Sequence, residues 1–382
     1  MRLFAAYWFI FIYLLSLGSP IYGQQTINAS IMHDGLQRDY ILYIPASFSQ
    51  NTPAPLLFNF HGYGSTAFEQ MNYGDFRPIA DTAGFLVVHP MGTEDILGNT
   101  HWNVGWGGST VDDIGFIEAL LDTLSLNYNI NADMVYSTGM SNGGFMSYKL
   151  ACDLSNRFAA IASVTGSMNI GQFDNCNCQH PMPIMEIHGT ADATVPYNGS
   201  YLFETIENVI AFWLEFNNCN PDAEVIMMPD LDPNDGSTVI HYTYLEGDNG
   251  VEVEHYKVIN GTHTWPGSNY DLGGTNYDIN ASVEVWRFLS QYDINGLING
   301  ITIAEEYETK KSLHVSPNPC ITTVKIEGGF AYPSEYQVIS PVGVLLSGGV
   351  LSSNNQSLDL STLASGIYFI KVDNSIFKVL KL

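Results

Sequence analysis

Apolar residues recur along the first three quarters of the chain in short runs, each stopped by a turn former. The runs are Tyr40–Pro45, Pro55–Phe60 (followed by His61-Gly62), Phe85–Pro90, Met134–Gly139, Ala160–Val164 and Ile184–Gly189. Most are apolar at consecutive rather than alternate positions, which is the pattern of strands covered on both faces. Between them, apolar positions fall at helical spacing. Ile114, Ile117, Leu120, Leu121 and Leu124 make one stripe within Val111–Leu124, and Ser200–Phe216 and Ala281–Leu289 repeat it. This alternation predicts an α/β fold around a mostly parallel sheet. Chemistry in such a fold belongs in the loops at the carboxyl ends of the strands.

The two ends of the chain read differently. Met1–Gly23 has one Arg, an apolar run from Leu3 to Leu17 and small or turn-forming residues after it, the pattern of a secretory signal. That run is short for a spanning helix, which needs roughly 20 apolar residues. Residues 294–311 turn Asn/Gly-rich and then charged, as a linker would. From Ser312 to Leu382 short strands are punctuated by turns, the pattern of a small all-β sandwich. The expected organisation is therefore a signal over 1–23, the large α/β domain over 24–293, a linker over 294–311 and a β domain over 312–382.

Charge narrows the functions available. The 382 residues carry a formal net charge of −26, and Gln24–Asp293 holds 6 basic against 32 acidic residues. A surface so poor in Lys and Arg cannot neutralise phosphates, which excludes nucleic acid and disfavours anionic lipid. Five cysteines suit an oxidising compartment. Cys152, Cys176, Cys178 and Cys219 allow three pairings, and Cys320 is left over. Asp230–Gly236 is rich in oxygen ligands, but its Gly falls one place late for a calcium loop and the twelfth position lacks an acid. A plain polar hairpin loop is expected there.

Three post-strand loops carry candidate chemistry. Gly139-Met140-Ser141-Asn142-Gly143 is a G-x-S-x-G sequence between a strand and a helix. The turn is tight, so its glycines avoid clashes. Its serine stands exposed, and the Asn142 amide points where an oxyanion would form. His188–Tyr197 follows an apolar run and contains Asp192, which could orient a histidine. Asn260–Gly267 holds His263 between Gly and Trp-Pro. His61 and His188 are each followed by Gly at strand ends and are expected to bond the backbone. The order Ser141, Asp192, His263 is that of the α/β-hydrolases. The loop His61-Gly62-Tyr63-Gly64 supplies a second oxyanion donor, the Tyr63 amide.

Leu36–Leu289 resembles the secreted polyhydroxybutyrate depolymerase and feruloyl esterase group, related to carbohydrate esterase family one. The likeness rests on Phe58–Gly64, Trp102-Asn103, Val111–Phe116, Gly139–Gly144, His188–Tyr197 and Gly261–Gly267. It implies an α/β-hydrolase fold, Ser141 as nucleophile, Asp192 as acid and His263 as general base, with no metal or organic cofactor. It also implies a binding pocket near Trp265. Trp102 and Trp106 are further candidates for aromatic walls. The expected function is a secreted serine esterase acting on feruloyl or acetyl groups of polysaccharide. Polyhydroxyalkanoate depolymerase is the alternative enzyme, and a non-catalytic polysaccharide-binding protein on the same scaffold is the alternative from another class. Ser316–Pro319, Leu363–Val372 and the basic Lys378–Leu382 resemble the C-terminal sorting domain of type IX secretion in Bacteroidetes. That likeness implies the type IX secretion machinery as a partner, and a secreted or cell-surface location.

Overall fold

A computed structural model describes residues 23–298 continuously, together with 314–316, 320–327, 334–340, 345–351, 355–364, 366–372 and 375–381. The expected signal and most of the linker lie outside the described residues. The chain divides into two compact units between Ile298 and Asn299.

The first unit is built on a ten-stranded sheet. Its strands are β1 (Gln25–His33), β2 (Leu36–Ile44), β3 (Ala54–Phe60), β4 (Leu86–Pro90), β5 (Ile130–Met140), β6 (Ala160–Val164), β7 (Ile184–Gly189), β8 (Glu224–Met227), β9 (Thr238–Tyr244) and β10 (Val253–Ile259). Their order is β1-β2-β4-β3-β5-β6-β7-β10-β9-β8. The six central strands, from β4 to β10, are parallel. An antiparallel hairpin flanks each side.

The consecutive apolar runs are explained by this double coverage. On β3, Leu56, Phe58 and Phe60 enter one core and Leu57 enters the other, and all four are fully buried. Helices α3 (Asp113–Asn127) and α4 (Asn142–Asp153) cover the first face through Phe116, Leu120, Phe145 and Leu150. Helices α2 (Arg77–Ala83) and α7 (Ala281–Leu289) cover the other through Ala80, Val285, Phe288 and Leu289. Each large apolar side chain removed from water contributes about 1.5–3 kcal/mol.

Two boundaries differ from the pattern reading. The helix expected over Ser200–Phe216 begins only at Ile206, where Thr205 caps it by accepting from the Asn208 amide. The first unit runs past Asp293 to Ile298, because Tyr292–Asp293 pairs with Gly296–Leu297 and the Ile294 amide donates to Asp133. Asp112 caps α3, accepting from the Gly115 amide, while Asp113 is engaged elsewhere. Its carboxylate meets Arg38 at 2.6 Å, with both side chains 1% exposed, and accepts from the Asn103 amide.

The second unit is all antiparallel, with one sheet of three strands and one of four. Val324, Ile326 and Leu358 of the first sheet share one core with Val338, Ile370 and Val379 of the second. Cys152 and Cys176 form a disulfide, while Cys178, Cys219 and Cys320 are buried as thiols. The Asp230–Gly236 segment is a polar loop tied to residues 277–278: Asp278 accepts from the Leu231 amide and Asp235 from the Tyr277 amide.

Candidate active site

Ser141 sits between the end of β5 and the start of α4 at φ 56°, ψ −122°. A non-glycine residue there carries about 1–3 kcal/mol of strain, which the surroundings must over-determine. The Ser141 amide donates to Val164 on β6, and its carbonyl accepts from Phe145. The flanking glycines have no room for a side chain. A Cβ on Gly139 would lie 2.6 Å from the Gly143 carbonyl carbon, and one on Gly143 would lie 2.2 Å from the Phe60 carbonyl oxygen.

The acid and histidine loops leave the sheet side by side, because β7 and β10 are parallel neighbours. A Cβ on Gly189 would come within 2.2 Å of the Gly261 carbonyl oxygen, so the two loops meet only because Gly189 has no side chain. The Ala191 amide donates to Gly261 and the Thr190 amide to Val258. Asp192 is buried. Its Oδ1 accepts from the Thr194 and Val195 amides, each at 2.8 Å. Its Oδ2 lies 2.6 Å from His263 Nδ1. An ionised carboxylate only accepts, so the ring proton is on Nδ1 and Nε2 keeps a free lone pair.

Ser141 and His263 line one cavity of about 530 Å³. Apolar parts of Tyr63, Phe68, Tyr73, Met140, Tyr270 and Leu272 form much of its wall, with Ser65, Glu69, Gln70 and Asn72 adding polar groups. Gly62 also lines it, and a Cβ there would lie 3.4 Å from Ser141 Cβ, so the expected oxyanion loop touches the serine. That loop is pinned from behind. His61 accepts the Gly92 amide on Nε2, and its Nδ1–H donates to Gly62 O. Burial holds its ring neutral, lowering it to about 4. Tyr63 lies within the turn closed by the Ser65 amide donating to Gly62, and its hydroxyl donates to Asp95.

The structure therefore gathers Ser141, Asp192, His263, Tyr63 and Asn142. It does not place Trp265 or Trp102 on the cavity wall, because both are fully buried. Trp265 packs edge-on to Phe76 and donates Nε1–H to Ser282. Trp102 donates Nε1–H to the His61 carbonyl, and its backbone is held on both sides by the Asn142 side chain, at 2.7 and 3.2 Å. Both tryptophans support the site from the core. Trp106 is half-buried against Phe145. The wall residues Phe68, Tyr270 and Leu272 carried no sequence motif, although each is more than half exposed. Among the described residues, His33, Asp34 and Asp112 form the one group with metal-ligating atoms within 4.8 Å of one another. His33 and Asp112 also lie within ion-pair distance.

Known proteins resemble this chain in two separate stretches. Residues 81–179 match the prolyl oligopeptidase family model, a span that holds Ser141 and ends before Asp192 and His263. Residues 314–381 match the secretion system C-terminal sorting domain. The chain is 27% identical over 275 residues to a bifunctional acetylxylan esterase/xylanase of Neocallimastix patriciarum, covering 72% of this chain and 36% of that protein. It is 28% identical over 178 residues to a probable feruloyl esterase C of Aspergillus flavus, covering 46% and 63%. The chain thus spans about a third of the first relative and under two thirds of the second. A solved acetyl xylan esterase from Aspergillus awamori overlaps 70% of this chain and 99% of its own, at TM-score 0.49 and 12% identity. The sorting-domain match marks the chain for type IX export, to the cell surface or beyond it. The chain has an α/β-hydrolase fold, is similar to curated feruloyl and acetylxylan esterases, and matches a secretion C-terminal sorting domain over residues 314–381.

Proposed function

We propose that the chain is a secreted serine esterase that removes acyl groups, feruloyl or acetyl, from polysaccharide. The observation that carries this reading is the 2.6 Å contact of Asp192 with His263 Nδ1, with His263 and the strained Ser141 on one cavity. The contact occupies His263 Nδ1 and leaves Nε2 to serve as the base. Ser141 attacks the ester carbonyl as His263 takes its proton. The developing oxyanion is received by the Tyr63 and Asn142 amides, each worth roughly 100- to 1000-fold in rate. The alcohol leaves with the proton from His263. Water activated by the same ring then hydrolyses the acyl-serine. Asp192 stabilises the imidazolium formed in both steps.

The names of the relatives supply the substrate class, and the cavity suits it. Aromatic and aliphatic walls with one carboxylate, Glu69, and no Lys or Arg accept a neutral acyl group. The test is twofold. A fluorophosphonate probe should label wild type and spare Ser141→Ala. A panel of methyl ferulate, acetylated xylan, p-nitrophenyl acetate and hydroxybutyrate oligomers should show turnover of the first three. Failure to label Ser141 in the folded protein would sink the enzyme reading, and turnover confined to hydroxybutyrate oligomers would reassign the substrate.

A further inference from the structure

Behind Asp192 the protein buries a second acid–histidine pair. Glu186 and His188, both on β7, are fully enclosed. A carboxylate in an apolar core is costly unless its oxygens are paired. Glu186 meets that demand: Oε2 accepts from the Tyr148 hydroxyl at 2.8 Å, and Oε1 lies 2.9 Å from His188 Nδ1. Across the ring, His188 Nε2 lies 2.8 Å from the Val195 carbonyl oxygen and 3.5 Å from Asp192 Oδ2. Five side chains therefore connect α4 to the cavity: Tyr148, Glu186, His188, Asp192 and His263.

The geometry fixes how many protons this pair holds. A carbonyl oxygen only accepts, so His188 Nε2 carries hydrogen. Nδ1 then faces a carboxylate oxygen, and a proton must lie between them. Placed on the ring, that proton makes His188 an imidazolium beside the Glu186 carboxylate. Burial opposes the charge on His188 and raises Glu186 as well, but for the ring the hydrogen bond and charge of Glu186, the Val195 carbonyl and the charge of Asp192 together outweigh it and raise His188 above its ordinary value. Asp192, facing Nε2, adds a negative charge that acts in the same direction. Tyr197 packs edge-on to the ring, and its hydroxyl bonds Glu207 and His255. Burial keeps His255 neutral, lowering it to about 4, and Glu207 is paired with Lys257.

We propose that Glu186 and His188 are positioning residues for the acid of the triad: Glu186 holds His188 doubly protonated against Asp192, which fixes the carboxylate and keeps His263 a neutral base to lower pH. The proposal rests on the esterase reading for its catalytic consequence, though not for the electrostatics. A positive charge held near Asp192 disfavours a second one on His263. Removing Glu186's carboxylate lets His188 fall neutral, and His263 is then protonated more readily.

Selective ¹⁵N-histidine NMR and the pH profile of kcat/KM on p-nitrophenyl acetate test this, on the full chain and on Glu186→Gln and Tyr148→Phe. In Glu186→Gln the titration of His263 should rise by about one pH unit, with the acid limb of the profile following it. Tyr148→Phe leaves the carboxylate but removes its second donor, so both readouts should move the same way by less. A merely structural role would lower Tm and maximal kcat and leave the His263 titration in place. A titration unmoved in both variants, or a His188 ring with a single proton in wild type near pH 6, overturns the proposal. If Glu186→Gln does not fold, Tyr148→Phe and the wild-type ring spectrum decide. The two readings fail separately: no ester turnover with a shifted titration sinks only the esterase, and turnover with an unmoved titration sinks only the relay.

Discussion

Replacing Asp192 by Asn isolates the tautomer of His263 from the fold around it. In the wild type, Oδ1 accepts two backbone amides at 2.8 Å and Oδ2 accepts His263 Nδ1–H at 2.6 Å. Asn can satisfy the two amides only with its oxygen in the Oδ1 place. The reversed rotamer would aim an NH₂ at two N–H groups and lose two hydrogen bonds, about 1 kcal/mol each plus the desolvation of the orphaned donors. The amide nitrogen is therefore forced toward His263. A donor now faces Nδ1, so the ring shifts its proton to Nε2, the nitrogen that must accept from Ser141. A misplaced tautomer of this kind costs about 10⁴-fold in kcat where it has been measured in another serine hydrolase, and a loss of that order is expected here. Because the loop keeps its two amide bonds, Tm should change little. The assay is kcat on p-nitrophenyl acetate beside a thermal melt and the rate of fluorophosphonate labelling. A kcat within about tenfold of wild type, in a protein that melts normally, would mean that Asp192 does not set the tautomer and that the triad is misassigned.

Two further predictions concern stability. Burial lowers His61 to about 4, His89 to about 3 and His255 to about 4, whereas the unfolded chain protonates each near 6.5. Between those values the unfolded state holds more protons, so the folding free energy from urea titrations should fall by up to about 1.4 kcal/mol per pH unit for each ring as pH drops below 6.5. A flat value from pH 6.5 to 4.5 would contradict the burial of these rings. Gly143→Ala would drive a methyl to 2.2 Å from the Phe60 carbonyl oxygen and 2.9 Å from that of His61. It should cost about 1–3 kcal/mol and, by moving the serine against the oxyanion loop, about 100-fold in kcat/KM; wild-type values in both measurements would show that the turn has slack.

Double burial made the central sheet legible. Leu56, Leu57, Phe58 and Phe60 are apolar in succession because both faces of β3 are covered, and no other environment asks for that pattern. Strand β8 gave no such signal, since all four of its residues are exposed at the sheet edge. The false start at Ser200 has a local cause. Tyr201 and Leu202 continue the apolar stripe of the Ile206–Asn217 helix in sequence, but they lie exposed in a loop where the Ser200 amide closes back on Phe203. The candidate residues Ser141, Asp192 and His263 stood out in sequence because each lies two or three positions from a glycine that has no room for a side chain, Gly143, Gly189 and Gly261. The buried ion pair of Asp113 with Arg38 left no trace in sequence, because its partner lies 75 residues away on β2 and no spacing rule reports such a contact.

The cavity wall was hidden for a related reason. A tryptophan beside a catalytic loop satisfies two demands equally well in sequence, a wall for a ring or a plug for the core. Trp102 and Trp265 turned out to serve the second, their indole N–H groups satisfied internally. The wall is supplied instead by α1 (Ala67–Tyr73) and by Tyr270 and Leu272, which are distant in sequence and ordinary in composition. Their chemistry bears on turnover. The cavity holds one carboxylate and no Lys or Arg, in a domain with 32 acidic and 6 basic residues. On the esterase reading, the substrate entering it is neutral and the acid leaving it is ionised. The apolar wall holds the first, while the negative field of Glu69 and the surrounding surface repels the second. The imbalance of charge that excluded nucleic acid from the outset thus also favours release of the acid product over its retention.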